Sequence, residues 1–274
     1  VPTRKLKKKT VRKRSKSTAT AGRAGTSKGF IALRSYDAIP DPEGGVNVEL
    51  YRRDVSGQQF DCSDVRGLFI SGCTVKGASF FGLAGSLTLG DQRRLSELYD
   101  CTFEGCDIRF LVLDYALLDR CRFIDCKVHS FMACYTGIRD CQFSGIIKDG
   151  NFWLTKRDPK AEARQLSLAH ACFEGNDFSE CELRNVSFRG GIDIEAQTFG
   201  DKYDGLVIPN GPQFLDRWSK QVKSRSVRDR LSWFTHYVRL TVDQFDQRSV
   251  YINAHTCKKL GVDEALVRSI ASAR

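Results

Sequence analysis

Read in fives, residues 101–145 run CTFEG, CDIRF, LVLDY, ALLDR, CRFID, CKVHS, FMACY, TGIRD, CQFSG. The third place holds Phe103, Ile108, Leu113, Leu118, Phe123, Val128, Ala133, Ile138 and Phe143, all apolar. The first place holds Cys101, Cys106, Leu111, Ala116, Cys121, Cys126, Phe131, Thr136 and Cys141, mostly small, and charges fall almost wholly in the other three places. A helix repeats every ~3.6 residues and a strand every ~2, so neither alone produces a five-residue interval. A fixed period means stacked repeats, each burying its apolar side against the next.

This unit resembles that of the pentapeptide-repeat family: a small residue, any residue, a central Leu or Phe, then two polar ones. The resemblance implies an all-β solenoid, a right-handed quadrilateral β-helix with four pentapeptides per coil, and therefore a second period of twenty. The residues carry that period themselves. Cys101, Cys121 and Cys141 recur at twenty, as do Phe103, Phe123 and Phe143, and Ile108 with Val128.

Working outward, earlier fives occupy 58–82 (QQFDC, SDVRG, LFISG, CTVKG, ASFFG), centred on Phe60, Val65, Ile70, Val75 and Phe80. Gly at the fifth place of four of them suits a tight corner with positive φ. From Phe80 to Leu98 the spacing is eighteen. The expectation is an inserted loop or short helix leaving the wall near 82–95. A second insertion is expected at 146–165, after which Leu168, twenty-five from Phe143, resumes the phase. Later centres are Phe173, Phe178, Leu183 and Phe188. At Asp193 the central place turns acidic, and a carboxylate is costly in an apolar core, so the repeats should end near 191.

The domain reading is therefore a disordered basic tail (1–29), a lead-in or N-terminal cap (30–57), the β-helix (58–191) and a helical C-terminal segment (192–274). In that last segment Phe214, Leu215, Trp218 and Val222 form one apolar stripe, and Leu231, Phe234, Val238 and Val242 a second. A third short helix is expected over 263–273. Solenoid ends need covering, so the segment reads as a cap, a homodimer interface or a small partner-binding domain.

The net charge of +10 is unevenly spread. Residues 1–29 carry eleven Lys and Arg and no acid; residues 30–195 carry 19 bases against 25 acids; residues 196–274 carry 13 against 8. Arg4, Lys5, Lys7, Lys8, Lys9, Arg12, Lys13, Arg14 and Lys16, with no acid or aromatic among them, are the candidate polyanion-binding set. Phe152, Trp153, Lys156 and Arg157 make an aromatic-basic cluster in the second insertion and are the candidate partner-binding residues.

Seven of the eleven cysteines (Cys73, Cys101, Cys106, Cys121, Cys126, Cys141, Cys181) sit in first places, where a small buried apolar residue is wanted. They read as core, not as disulfides or metal ligands. His129 and His170 fall in outward places. His255 and Cys257 would share a face on a strand, but no third orienting group accompanies them. No nucleotide, zinc-protease, hydrolase or calcium motif occurs, so no catalytic, cofactor or metal residue is expected. No run approaches the ~18 apolar residues of a membrane span, and no apolar stretch follows the basic N-terminus, so a cytoplasmic location is expected. The functional expectation is a non-enzymatic scaffold for protein–protein interaction. Two rivals stay open. The family resemblance implies a DNA-mimic that binds DNA gyrase or topoisomerase and confers quinolone resistance. The basic tail implies a structural protein anchored on nucleic acid.

Overall fold

The computed structural model describes residues 30–32, 38–42, 44–91, 94–154, 172–203, 205–222 and 231–272. The basic set Arg4–Lys16 lies outside the described residues, as do Lys156 and Arg157. The described residues between Phe30 and Phe199 form a β-solenoid of about seven turns, with most strands stacked in parallel. The period of twenty is the pairing register: Phe103 faces Phe123, Phe123 faces Phe143, and Leu118 lies between Leu98 and Ile138. Four successive central residues complete one turn, which gives the solenoid four walls.

The stacking distance of the strands, about 4.8 Å, dictates the packing of whatever repeats at twenty. Phe60, Phe80, Phe103, Phe123, Phe143, Phe178 and Phe199 form one column, with neighbouring ring centroids 4.7–5.6 Å apart and planes within 21° of parallel. Ile108, Leu113, Leu118, Val128, Ile138, Phe173, Leu183 and Phe188 are likewise buried. The first-place cysteines are all buried. Their thiols donate to backbone carbonyls of the turn below: Cys121 to Leu98 at 3.3 Å and Cys126 to Phe103 at 3.4 Å.

Fifth places form the corners. Gly72, Gly77 and Gly82 have positive φ there, but so do Asp100, Tyr115, Arg120, Asp125, Tyr135 and Asp140. Asp and Asn tolerate the left-handed region better than most residues. The expectation for Gly67 fails, because it lies inside the strand Val65–Ser71. At Gly145, φ is 96° and an added Cβ would sit 2.2 Å from the Cys126 carbonyl oxygen, so that corner requires glycine.

Neither expected insertion begins where the register breaks. Ala84–Leu89 is a wall strand, paired in parallel with Val65–Ser71 on one side and Asp107–Asp114 on the other. Its inward Leu87 and Leu89 are fully buried. Val75 pairs with Leu98, twenty-three residues on, and the surplus is taken up after Gly90, where Asp91 and Arg94 bridge. The alternation in LAGSLTL (83–89) has the strand period of ~2, which overrides the five-residue count. The second interruption is also smaller than 146–165, because Gln142–Trp153 is one continuous strand. Ile138 pairs with Phe173, thirty-five residues on.

The solenoid also outruns its expected end. Ile192 and Ile194 turn inward while Asp193 points outward and accepts the Glu195 N–H at 3.1 Å. This one-residue shift removes the carboxylate from the core, and Thr198–Phe199 adds a last strand on Asp177 and Phe178. Two buried amides finish this end. Asn176 replaces a first-place Cys, donates to Ile138 O at 3.0 Å and accepts the Cys141 N–H; Gln197 donates to Phe173 O and Asp193 O. Both sites are satisfied, as buried amides must be.

Four helices follow: α1 (Gly211–Gln221), α2 (Ser232–Asp243), α3 (Ala254–Leu260) and α4 (Glu264–Ser272). Phe214, Trp218, Phe234, Val238, Val267 and Ile270 build a second core, separate from that of the solenoid. The strands Leu206–Ile208 and Val250–Ile252 pair antiparallel beneath it. Covering of the solenoid falls to this pair and α3, more than to the 212–248 helices. Tyr251 stacks on Phe199 at 4.7 Å, Gln247 donates to Ile192 O at 2.6 Å, and Asn253 donates to Leu183 O.

Candidate functional site

Outward side chains of a solenoid wall alternate with the buried ones, so each wall shows the second and fourth places of its repeats. On three walls most of these places are polar or charged, with Phe81, Leu117, Ile124 and Ile146 as exceptions, and several charges pair, across turns or within one strand. Arg120 bonds Asp100 at 2.9 Å, and both Arg120 and Arg139 bond the buried Asp119. His129 meets Asp107 at 2.6 Å, and Arg184 meets Glu182 at 2.7 Å. The Arg120 hydrogen bond holds the Asp100 carboxyl below its ordinary range.

The fourth wall differs. It is built from Phe131–Cys134 and from the closing stretches of Val46–Tyr51, Val65–Ser71, Ala84–Leu89, Asp107–Asp114, Gln142–Trp153 and Asp177–Arg189. Down the middle, Phe69, Thr88, Val112, Met132, Asn151 and Ser187 follow one another in register. None is charged. Glu49 heads this column at the N-terminal end. Phe110 is 61 % exposed beside the column, thrown outward by a register shift after Ile108, and Met132 is 49 % exposed. Ile39, 65 % exposed, extends the apolar surface onto the first edge strand. An outward row poor in charge and holding Phe and Met has the composition of an interface centre.

The expected partner-binding cluster is split by the fold. Phe152 is 1 % exposed and stacks on Phe188 at 5.1 Å, so it belongs to the core and cannot meet a partner. Trp153, its neighbour, necessarily points the other way and is 40 % exposed at the C-terminal border of the fourth wall. There the Arg189 guanidinium lies 3.8 Å over the Phe245 ring and 5.7 Å from that of Trp153, which ties the wall to the helical segment. Burial lowers the pKa of Arg189 from its ordinary value. Sequence reasoning missed Phe110 and Met132. The signal was present: Phe110 fills a fifth place and Met132 a second place, both outward positions of the repeat.

Chemistry of other kinds finds less to work with. Cys257 lies buried on α3 while His255 is exposed, so the helix separates a pair that a strand would have brought together. Burial pushes the Cys257 thiol up to about 11 and the Cys181 thiol up to about 12, opposite to what a nucleophile needs. Among the described residues no group of His, Cys, Asp or Glu is arranged to hold a metal ion. A cleft of about 740 Å³ lies where the solenoid meets the helices, lined by Asp193, Glu195, Asn210, Arg248 and Ser249. Ser249 already bonds Glu195 at 2.8 Å and Pro209 O at 2.9 Å. Among the described residues no helix is long and apolar enough to cross a membrane. Comparison with family models, with curated proteins and with solved structures returned no match for this chain.

Proposed function

We propose that this chain is a pentapeptide-repeat scaffold, without catalytic chemistry of its own, that binds a protein through the charge-free row of its fourth wall. The observation that carries this reading is the outward row Phe69, Thr88, Val112, Met132, Asn151 and Ser187, which holds no charge and exposes Met132 with Phe110 beside it. Protein interfaces lose charged residues from their centres and gain aromatics and Met, which matches this strip. A flat sheet of repeated turns is also stiff, so little ordering cost opposes docking. Less supports the gyrase-binding rival, since duplex mimicry asks for an unbroken acidic row and the acids here are interleaved with Arg and His.

The test is a capture experiment from the native host with three proteins: the wild type, Phe110→Asp with Met132→Asp, and Arg122→Asp on a charged wall. A partner held by the wild type and by Arg122→Asp, but released by the double variant, supports the reading. Equal capture by all three folded proteins would overturn it.

A further inference from the structure

The charge-free row ends in a cleft. Asn151 and Ser187, its last two members, line a space of about 310 Å³ together with Asp149, Asn185, Arg189 and Tyr237, where the fourth wall meets the helices. Arg189 closes the adjacent outward row, which runs Asp114, Cys134, Trp153, Arg189 in register. Along these two rows the acids Glu49 and Asp114 stand toward the N-terminal end, and Arg189 is the single cation.

Arg189 is half-buried, and its contacts orient it without neutralising it. Its Nε donates to Ser187 Oγ at 3.0 Å, and its guanidinium lies 3.8 Å over the Phe245 ring. Ser187 is fixed in turn, because its own hydroxyl donates to Asn151 Oδ1. Among the described residues no carboxylate pairs with Arg189, and its two terminal nitrogens carry no hydrogen bond. The acid of its own row, Asp114, is three strands away, about 14 Å at the ~4.8 Å strand spacing. Asp149, in the cleft, is engaged by Asn185, whose Nδ2 donates to it at 2.8 Å while its Oδ1 accepts from Lys259 Nζ at 2.8 Å. A guanidinium drawn out of water without a counter-charge is unfavourable, and its terminal fork matches the two oxygens of a carboxylate.

We infer that the protein seated on the charge-free row supplies an Asp or Glu carboxylate to Arg189, so that its binding segment joins apolar side chains to one acid. The inference rests on the row as a protein-binding surface and adds the charge that its occupant must carry. Arg and Trp are the residues that most often dominate interface energies, and here Arg189 stands beside the exposed Trp153 at the end of the row. Met132 and Arg189 are two strands and two residues apart, about 12 Å, so in an extended segment the acid falls about three or four residues from the side chain that meets Met132.

Selection from a displayed library of random peptides, each about twelve residues and so ample for that spacing, tests it with the full chain as bait. The wild type should enrich peptides with an acid at that distance from an apolar residue. Arg189→Gln should remove the acidic preference, and Phe110→Asp with Met132→Asp the apolar one. A synthetic copy of the enriched peptide should bind the wild type about tenfold more weakly when its acid is changed to the amide, the worth of one charge-assisted hydrogen bond. Arg189→Gln should bind the two peptides equally. Should that variant not fold, the acid and amide peptides are compared on the chain whose nine bases at residues 4–16 are replaced by Gln, since the tail is the other cation an acid could seek. An acidic preference that survives Arg189→Gln, or one lost with the tail bases alone, would overturn the inference. Acid-free peptides that need Phe110 and Met132 would also overturn it, and would leave the row standing as a docking surface. Acidic peptides that need Arg189 but not Phe110 and Met132 would instead remove the row and keep the carboxylate site. No enriched peptide would overturn both.

Discussion

The solenoid and the helical segment bury their apolar residues by different rules. In the solenoid each buried side chain meets its own counterpart one turn away, so Phe123 touches Phe103 and Phe143 in nearly the same geometry. In the helical segment the core is assembled from unlike residues on separate helices, with Trp218 tilted against Phe234 and its Nε1 donating to Thr235 at 3.1 Å. The first design transmits one position's fit along the whole column. The second confines a change to a local cluster.

The largest expected effect is at the centre of the column. Phe123→Ala should destabilise the protein by about 3–5 kcal/mol, the range for emptying a buried Phe site. Denaturant titration measures it, and a loss below about 0.5 kcal/mol would mean the column is not continuous. Next is the joint between the regions. Tyr251→Ala removes the ring that stacks on Phe199 and meets Phe188 edge-on. We expect a loss of about 3 kcal/mol and a calorimetric trace that splits into two transitions. Two transitions already present in the wild type would show that the regions were never coupled.

Alkaline pH sharpens the comparison further. Burial raises the Cys181 thiol to about 12 and the Tyr251 and Tyr237 phenols to about 12. A pKa raised on folding gives stability that is complete below the unfolded value and lost as pH climbs to the folded value. Unfolded thiols titrate near 9 and phenols near 10, so the buried thiols, Cys181 in the solenoid and Cys257 in the helical segment, should cost stability from about pH 9, and the tyrosines should add from about pH 10. Cys181→Ala should flatten the early part of a stability–pH curve. A curve level from pH 9 to 11 would contradict burial of the thiols. The smallest effect is expected at Phe110→Ser, within about 0.5 kcal/mol, because the ring is mostly in solvent. A loss of several kcal/mol there would reassign Phe110 to the fold.

The five-residue unit and the twenty-residue period specified the solenoid, its column of Phe and the burial of its cysteines. Those follow from sequence because a parallel stack converts residue spacing directly into contact. The apolar stripes around Trp218, Val238 and Val267 were legible for the same reason, since helical period converts spacing into a face. Only the tertiary structure decided the rest. A count in fives cannot see that a strand of period two, Ala84–Leu89, may replace a repeat and stay in the wall. Nor can it see that a one-residue shift at Ile192 and Ile194 turns Asp193 outward and admits another strand. Phe152 and Trp153 are adjacent in sequence, and which of them faces the core depends on register with Phe188 and Arg189. The charge-free row of the fourth wall exists only once turns far apart in sequence are brought side by side, because a surface is a property of neighbours in space.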